Sequence, residues 1–264
     1  MKTFLLSLAV AVPLAASAAD APEPKTYSTV RVQRVVVQTD GGPINLTATG
    51  AQTVSVEVSP PAGPGDECSV SQDVRDGTLT LTARAASRHL FGGGKPCSAG
   101  FSVEAPALIE FSARSGSGRV DFGAFSGNAD LRTGSGDIVL HGALGALSLR
   151  SGSGRIAGEA SGRTIDVQNG SGNVHLLDLS GWVKARTGSG SVALEWTSAP
   201  RAGDIDVRTG SGDLSATLPA DTKLKFSMKS GSGTIGGDFT SDEKAPLRLT
   251  FRSGSGGARL TKGQ

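Results

Sequence analysis

The sequence predicts an all-β fold: a single β-solenoid of the parallel β-helix type, with coils of about 18 residues, Gly-Ser-Gly corners and an irregular β amino-terminal portion. Three observations predict it. The phrase RTGSGDIVL at 132–140 returns as RSGSGRIAG, QNGSGNVHL, RTGSGSVAL, RTGSGDLSA, KSGSGTIGG and RSGSGGARL. The central serine of the corner falls at Ser117, Ser135, Ser153, Ser171, Ser189, Ser211, Ser232 and Ser255, at intervals of 18, 18, 18, 18, 22, 21 and 23. Glycine supplies 38 of 264 residues with no collagen period, a composition that suits a regularly turned β structure.

Each coil reads as two short strands. Before the corner, alternate positions are apolar in every copy: Phe111 with Ala113, Ala129 with Leu131, Leu147 with Leu149, and so on to Leu249 with Phe251. After it, Val120, Ile138, Ile156, Val174, Val192, Leu214, Ile235 and Ala258 share one position. Side chains alternate faces along a strand, so both halves bury one face, and no helical period competes. Identical residue types at identical coil positions favour stacked coils over hairpins, because like residues then meet at every level. The usual chirality of parallel connections makes the coiling right-handed. The longer late intervals add residues at the second corner, in TSAPRAGD and TSDEKAPLR.

The residue before the corner is Ser115, Thr133, Ser151, Asn169, Thr187, Thr209, Ser230 or Ser253. It shares the parity of the apolar positions, so it points inward as a hydroxyl or amide ladder for corner backbone groups. The flanking glycines permit positive φ and close coil-to-coil approach.

Along the chain, residues 1–19 follow a secretory signal plan and 20–27 form a linker. Residues 28–110 form the amino-terminal portion, either irregular first coils or a small β cap, since VRVQRVVVQ, INLTATG, VSVEVSP and TLTLTAR all alternate. Residues 111–262 are the repeats. Cys68 and Cys97 are expected to form a disulfide in an exported chain, with SRHLFGGGKPCSAG as an exposed loop tied by it. No cysteine stands at the cleavage site to take a lipid, and no transmembrane segment is expected in the mature chain, which makes the location periplasmic or secreted.

Little supports catalysis or a cofactor. GSGTIG at 231–236 has dinucleotide-type glycine spacing, but strands flank it where a helix is needed. GGGKP at 92–96 lacks the Walker arrangement. Asp137 and Asp213 follow the corner, yet the equivalent positions are Arg119, Arg155, Asn173, Ser191, Thr234 and Gly257, which breaks any calcium ladder. His89, His141 and His175 lack metal-ligand spacing. Catalytic, metal-binding and cofactor residues are therefore expected to be none.

One column exceeds what folding needs. Two residues before the corner glycine stand Arg114, Arg132, Arg150, Gln168, Arg186, Arg208, Lys229 and Arg252, basic in seven of eight coils and outward by parity. Net charge is only +2, so any electrostatic function must come from such an arrangement. At interstrand spacing the column would run about 35 Å. Asp130, Asp166 and Asp206 lie two residues earlier on the same face and can compensate it. Two readings stand: a structural ladder of arginine stems over the sheet, or a groove for an acidic polymer such as an envelope polysaccharide, lipopolysaccharide or nucleic acid, for which no specific nucleic-acid motif is present.

The VEAPALIEFSARSGSG entry followed by serial SGSG and TGSGD corners resembles the bacterial putative adhesin domains of unknown function, over about residues 28–262. The resemblance implies an exported, non-enzymatic β-solenoid of the cell envelope that acts by surface binding, with no ligand or catalytic residues to carry over. A carbohydrate-active enzyme on a β-helix scaffold and a structural spacer remain alternative readings, and the oligomeric state stays open.

Overall fold

The computed structural model describes residues 25–28, 31–61, 68–86 and 97–263, and every regular element among them is a strand. The expected signal peptide, residues 20–24 of the linker, His89 and GGGKP lie outside the described residues. The repeats wind as coils of two strands, one before and one after each Gly-Ser-Gly corner, and the two strands belong to two different sheets.

The amino-terminal portion holds β1 (Lys25–Ser28), β2 (Arg34–Thr39), β3 (Ile44–Thr49), β4 (Thr53–Ser59), β5 (Cys68–Arg75), β6 (Thr78–Ala85) and β7 (Gly100–Pro106). Five regular coils follow: β8 (Glu110–Ser115) with β9 (Val120–Phe122), β10 (Ala129–Thr133) with β11 (Ile138–Ala143), β12 (Leu147–Ser151) with β13 (Ile156–Ala160), β14 (Thr164–Asn169) with β15 (Val174–Leu179), and β16 (Trp182–Thr187) with β17 (Val192–Trp196). Three longer ones complete the chain: β18 (Gly203–Thr209) with β19 (Leu214–Pro219), β20 (Leu224–Ser230) with β21 (Ile235–Gly237), and β22 (Leu247–Ser253) with β23 (Ala258–Gly263). Pairing between coils is parallel and in register, as in Leu131↔Leu149 and Ile138↔Ile156. The alternating apolar rows of both sheets meet between them as one core, in which Phe111, Phe122 and Phe125 stack with ring centroids 4.6–5.9 Å apart.

Among the described residues the stack holds ten coils, two more than the Gly-Ser-Gly corners number. β2 and β3 form one around the corner TDGG, with Thr39 opposite Ser115 and Ile44 opposite Val120. β6 and β7 form another, parallel to β2 and β3. Beyond them β5 pairs antiparallel with β6, β4 antiparallel with β7 and β1 antiparallel with β4. The amino-terminal portion is thus two coils plus an antiparallel cap. The Cys68–Cys97 disulfide ties the start of β5 in one sheet to the run into β7 in the other. Cys97, Ala99 and Gly100 are buried, so this end of the segment expected as an exposed loop belongs to the core.

Chain order and stack order differ at both ends. β22 pairs with both β18 and β20, and β23 with both β19 and β21, so the last coil lies inside the coil that precedes it. At the other end the chain begins regular pairing at β2–β3, passes outward to β6–β7 and returns inward to β8–β9. Each end of the described chain therefore places a coil in the second position, bonded on both sides; the coil beyond it is an open edge at β20–β21 and is covered by β5 and β4 at β6–β7.

The corner glycines are needed for space. None has a positive φ, contrary to one half of the sequence expectation. A Cβ on Gly154 would lie 1.8 Å from the Gly136 carbonyl oxygen, and one on Gly152 would lie 2.4 Å from that of Gly134. The second corner, which the sequence presents as variable, carries its own column: a Cβ on Gly145, Gly162 or Gly181 would lie 2.0–2.1 Å from the carbonyl of the glycine one coil before.

Gly154→Ala should therefore lower unfolding free energy by about 3 kcal/mol, a severe overpacking cost, measured by urea denaturation. Gly50→Ala, where nothing lies within 4 Å of the added carbon, should stay within about 0.5 kcal/mol of the parent. Equal effects at the two positions would refute the steric account.

Candidate functional site

The basic column stands on the outer face of the 11-stranded sheet, one residue before an inward ladder that holds the corner rigid. Ser115, Thr133, Ser151, Asn169, Thr187 and Thr209 are buried. Thr133 Oγ1 accepts from the Gly136 N–H at 2.9 Å and donates to the Gly118 carbonyl of the preceding coil at 3.3 Å. Ser115 and Ser151 make the same two bonds. Asn169 donates to the carbonyls of Gly172 and Gly154 at 2.8 and 3.0 Å. These four residues thus tie their own corner to the one before, whereas Thr187 and Thr209 bond within their own corner. The residue after the corner adds a second ladder on the other sheet's side: Asp137 Oδ1 accepts from the Arg155 N–H at 2.7 Å, and Asp213 Oδ1 accepts from Gly257 N–H at 2.6 Å. The aspartate of TGSGD is a cap for the next coil.

Because the ladder fixes the register, the outward neighbours stack side by side. Arg114, Arg132, Arg150, Gln168, Arg186, Arg208, Arg252 and Lys229 follow one another in that spatial order, the last two exchanged relative to the sequence. Gln38 and then Thr82 extend the row beyond Arg114. A groove of about 770 Å³ runs along the middle of this row. Arg132, Arg150, Gln168, Arg186 and Arg208 form its polar wall, and Thr133, Asn169, Gly170 and Gly188 line its edge. The corner serines, including Ser153, Ser171 and Ser189, are exposed at the adjoining apex.

Compensation is partial. Arg132 makes a two-pronged pair with Asp130, at 2.9 and 2.7 Å, and Arg208 does the same with Asp206, at 3.2 and 2.9 Å. Asp166 stands beside Gln168, and its Oδ1 is buried without a hydrogen-bond partner. Among the described residues, no carboxylate lies within ion-pair distance of Arg114, Arg150, Arg186, Arg252 or Lys229. All five are at least partly solvent-exposed.

The other charged groups are dispersed. On the 12-stranded sheet Asp121 accepts from Arg119 and lies 3.4 Å from His141 Nε2, and its carboxylate raises the Arg119 pKa above the usual guanidinium value. His175 Nε2 lies 3.5 Å from Glu195 on the same sheet. Among the described residues, no three His, Cys, Asp or Glu side chains are grouped to hold a metal ion. No helix among them is long and apolar enough to cross a membrane.

The family model described as Toastrack DUF4097 matches residues 32–261. The chain is similar in fold to a solved structure described as a putative lipid binding protein from Parabacteroides distasonis ATCC 8503, with TM-score 0.51 and 13% identity over 92% of this chain and 98% of that one. A structure described as a putative adhesin from Bacteroides fragilis NCTC 9343 has TM-score 0.47 and 14% identity over 90% and 96%. No curated protein matches.

The geometry separates a structural from a free role for the unpaired arginines. Replacing Arg150 and Arg186 together with serine should change unfolding free energy by less than about 1 kcal/mol, as for surface positions without a named structural partner. A loss well above that in chemical denaturation would mean that their stems hold the sheet.

Proposed function

Because this chain belongs to the Toastrack DUF4097 family, we propose that it is a non-enzymatic, extracytoplasmic binding scaffold whose arginine column holds a linear acidic polysaccharide of the cell envelope. The single observation that carries the reading is that five of the seven column cations have no carboxylate within ion-pair distance among the described residues although their register holds them in one row. Like charges at interstrand spacing repel, and folding alone would favour neutralising them. Leaving them open is the arrangement that a polyanion compensates.

Three further features support it. The groove follows the solenoid axis over several coils, which suits a polymer more than a compact metabolite. Its rim is rich in exposed serine hydroxyls and bare glycine backbone at the corners, groups that hydrogen-bond sugar hydroxyls without steric cost. The Cys68–Cys97 disulfide accords with an oxidising compartment outside the cytoplasm.

The wild-type chain should bind immobilised dextran sulfate and leave uncharged dextran unbound, with affinity falling as salt is raised because the cations are solvent-exposed. A variant carrying Arg114→Ser, Arg150→Ser, Arg186→Ser and Arg252→Ser should bind at least about tenfold more weakly. Retained binding in that variant, or equal capture by uncharged dextran, would refute the column as the site.

A further inference from the structure

From Arg114 to Arg252 the compensation along the column has a period of two coils. Carboxylates occupy the position two residues before the column at Asp130, Asp166 and Asp206, in the coils of Arg132, Gln168 and Arg208. In the coils between them the same position is Ser112, Ser148, Lys184 or Thr250, beside Arg114, Arg150, Arg186 and Arg252. Register pairing makes these rows strict neighbours: Ser112, Asp130, Ser148, Asp166, Lys184, Asp206 and Thr250 follow one another across the sheet. In the aspartate coils the guanidinium is held by its own aspartate, at Arg132 and Arg208, or is replaced outright by Gln168, which leaves Asp166 without a cation in its own coil. From Arg114 to Arg252 uncompensated guanidinium groups therefore recur at every second coil, about 9.5 Å apart at interstrand spacing, and the outermost coil adds the uncompensated Lys229 directly beside Arg252.

Resting on the polysaccharide reading above, we propose that the ligand presents one anionic group to the column for every two sugar units: an acidic polymer with a disaccharide repeat in which charged and neutral sugars alternate. An extended pyranose chain advances by roughly one coil spacing per sugar, so a disaccharide spans two coils. A carboxylate on one sugar then meets Arg114, Arg150, Arg186 or Arg252. The neutral sugar between meets Gln168 or an arginine already tied to aspartate, both of which offer hydrogen bonds to hydroxyl or acetamido groups. A polymer charged on every sugar would instead place alternate carboxylates beside Asp130, Asp166 and Asp206, where like charge opposes binding. The aspartates thus select the spacing of the ligand's charges.

The test compares two probes of equal length on the intact secreted chain by calorimetry at low salt. They are hyaluronan octasaccharide, with one carboxylate per disaccharide, and octagalacturonate, with one per sugar. The wild type should favour the hyaluronan octasaccharide at least about fivefold, although it carries half the charge. A variant with Asp130→Asn, Asp166→Asn, Gln168→Arg and Asp206→Asn turns the row into one free cation in every coil from Arg114 to Lys229, and should reverse the preference. Tighter wild-type binding of octagalacturonate, or a preference unchanged in the variant, would overturn the two-coil selection while leaving the column as a general polyanion site. Absence of binding to either probe by wild type and variant alike, with dextran sulfate also unbound, would overturn the polysaccharide reading itself.

Discussion

Everything in this molecule depends on how closely the backbone of one corner lies on the next. Successive corners are bonded amide to carbonyl, as from the Ser153 N–H to the Gly134 carbonyl at 3.1 Å, and the space beside each glycine is filled by the carbonyl of the coil before it. A contact of that kind admits one register only. Slippage by one residue would drive a side chain into a backbone oxygen and turn every apolar row outward. The buried ladder completes the constraint: its Ser and Thr hydroxyls accept from corner amides that the tight turn would otherwise leave unpaired, and Asn169 donates to corner carbonyls. Core and outer face then inherit their order from the corner.

Stacking alone would leave two open ends. At both, the coil nearer a terminus in sequence sits one step inside its neighbour and is bonded on both sides, but only at the carboxy-terminal end is that neighbour, β20–β21, outermost. Of the two outer strands at the carboxy-terminal end, β21 is only three residues long and exposed at Ile235, Gly236 and Gly237, which limits its use as a template for further pairing. At the amino-terminal end the antiparallel strands β1, β4 and β5 and the disulfide do that work. A coil that ended the chain at the very edge would fray; a coil inserted one step inside is held by twice the hydrogen bonding.

The repeat, the two strands per coil and the inward hydroxyl column were legible in the sequence because the corner imposes the same demand in every coil. What escaped is what that demand leaves free. The corner TDGG keeps Thr39 and Gly42, which do the bonding, but lacks the serine at the tip, so a search on the phrase passes over it. The glycine column of the second corner, at 127, 145, 162 and 181, drifts in spacing by one residue either way and hides among loop residues. The exchange of the last two coils is invisible because coils with the same alternation fit either neighbour. Parity placed Arg132 and Asp130 on one face, yet only side-chain geometry shows that the arginine folds back on its own coil instead of bridging to the next.

The outer charges are best understood as chemistry laid on a scaffold that does not require them. The column position accepts Gln38, Thr82 and Gln168 in coils that stack in the same register as their arginine neighbours. The position two residues earlier accepts serine, lysine and threonine equally well. Neither arginine nor aspartate is therefore demanded by the strand, the corner or the core. The scaffold repeats every coil, whereas the aspartates repeat every second coil, and a period that the backbone does not possess cannot have come from the backbone. Mutual repulsion within the row is relieved by any aspartate placed near any arginine, so it accounts for the presence of acids but not for their alternation. The polymer proposed above, whose own charges alternate, would supply the missing period.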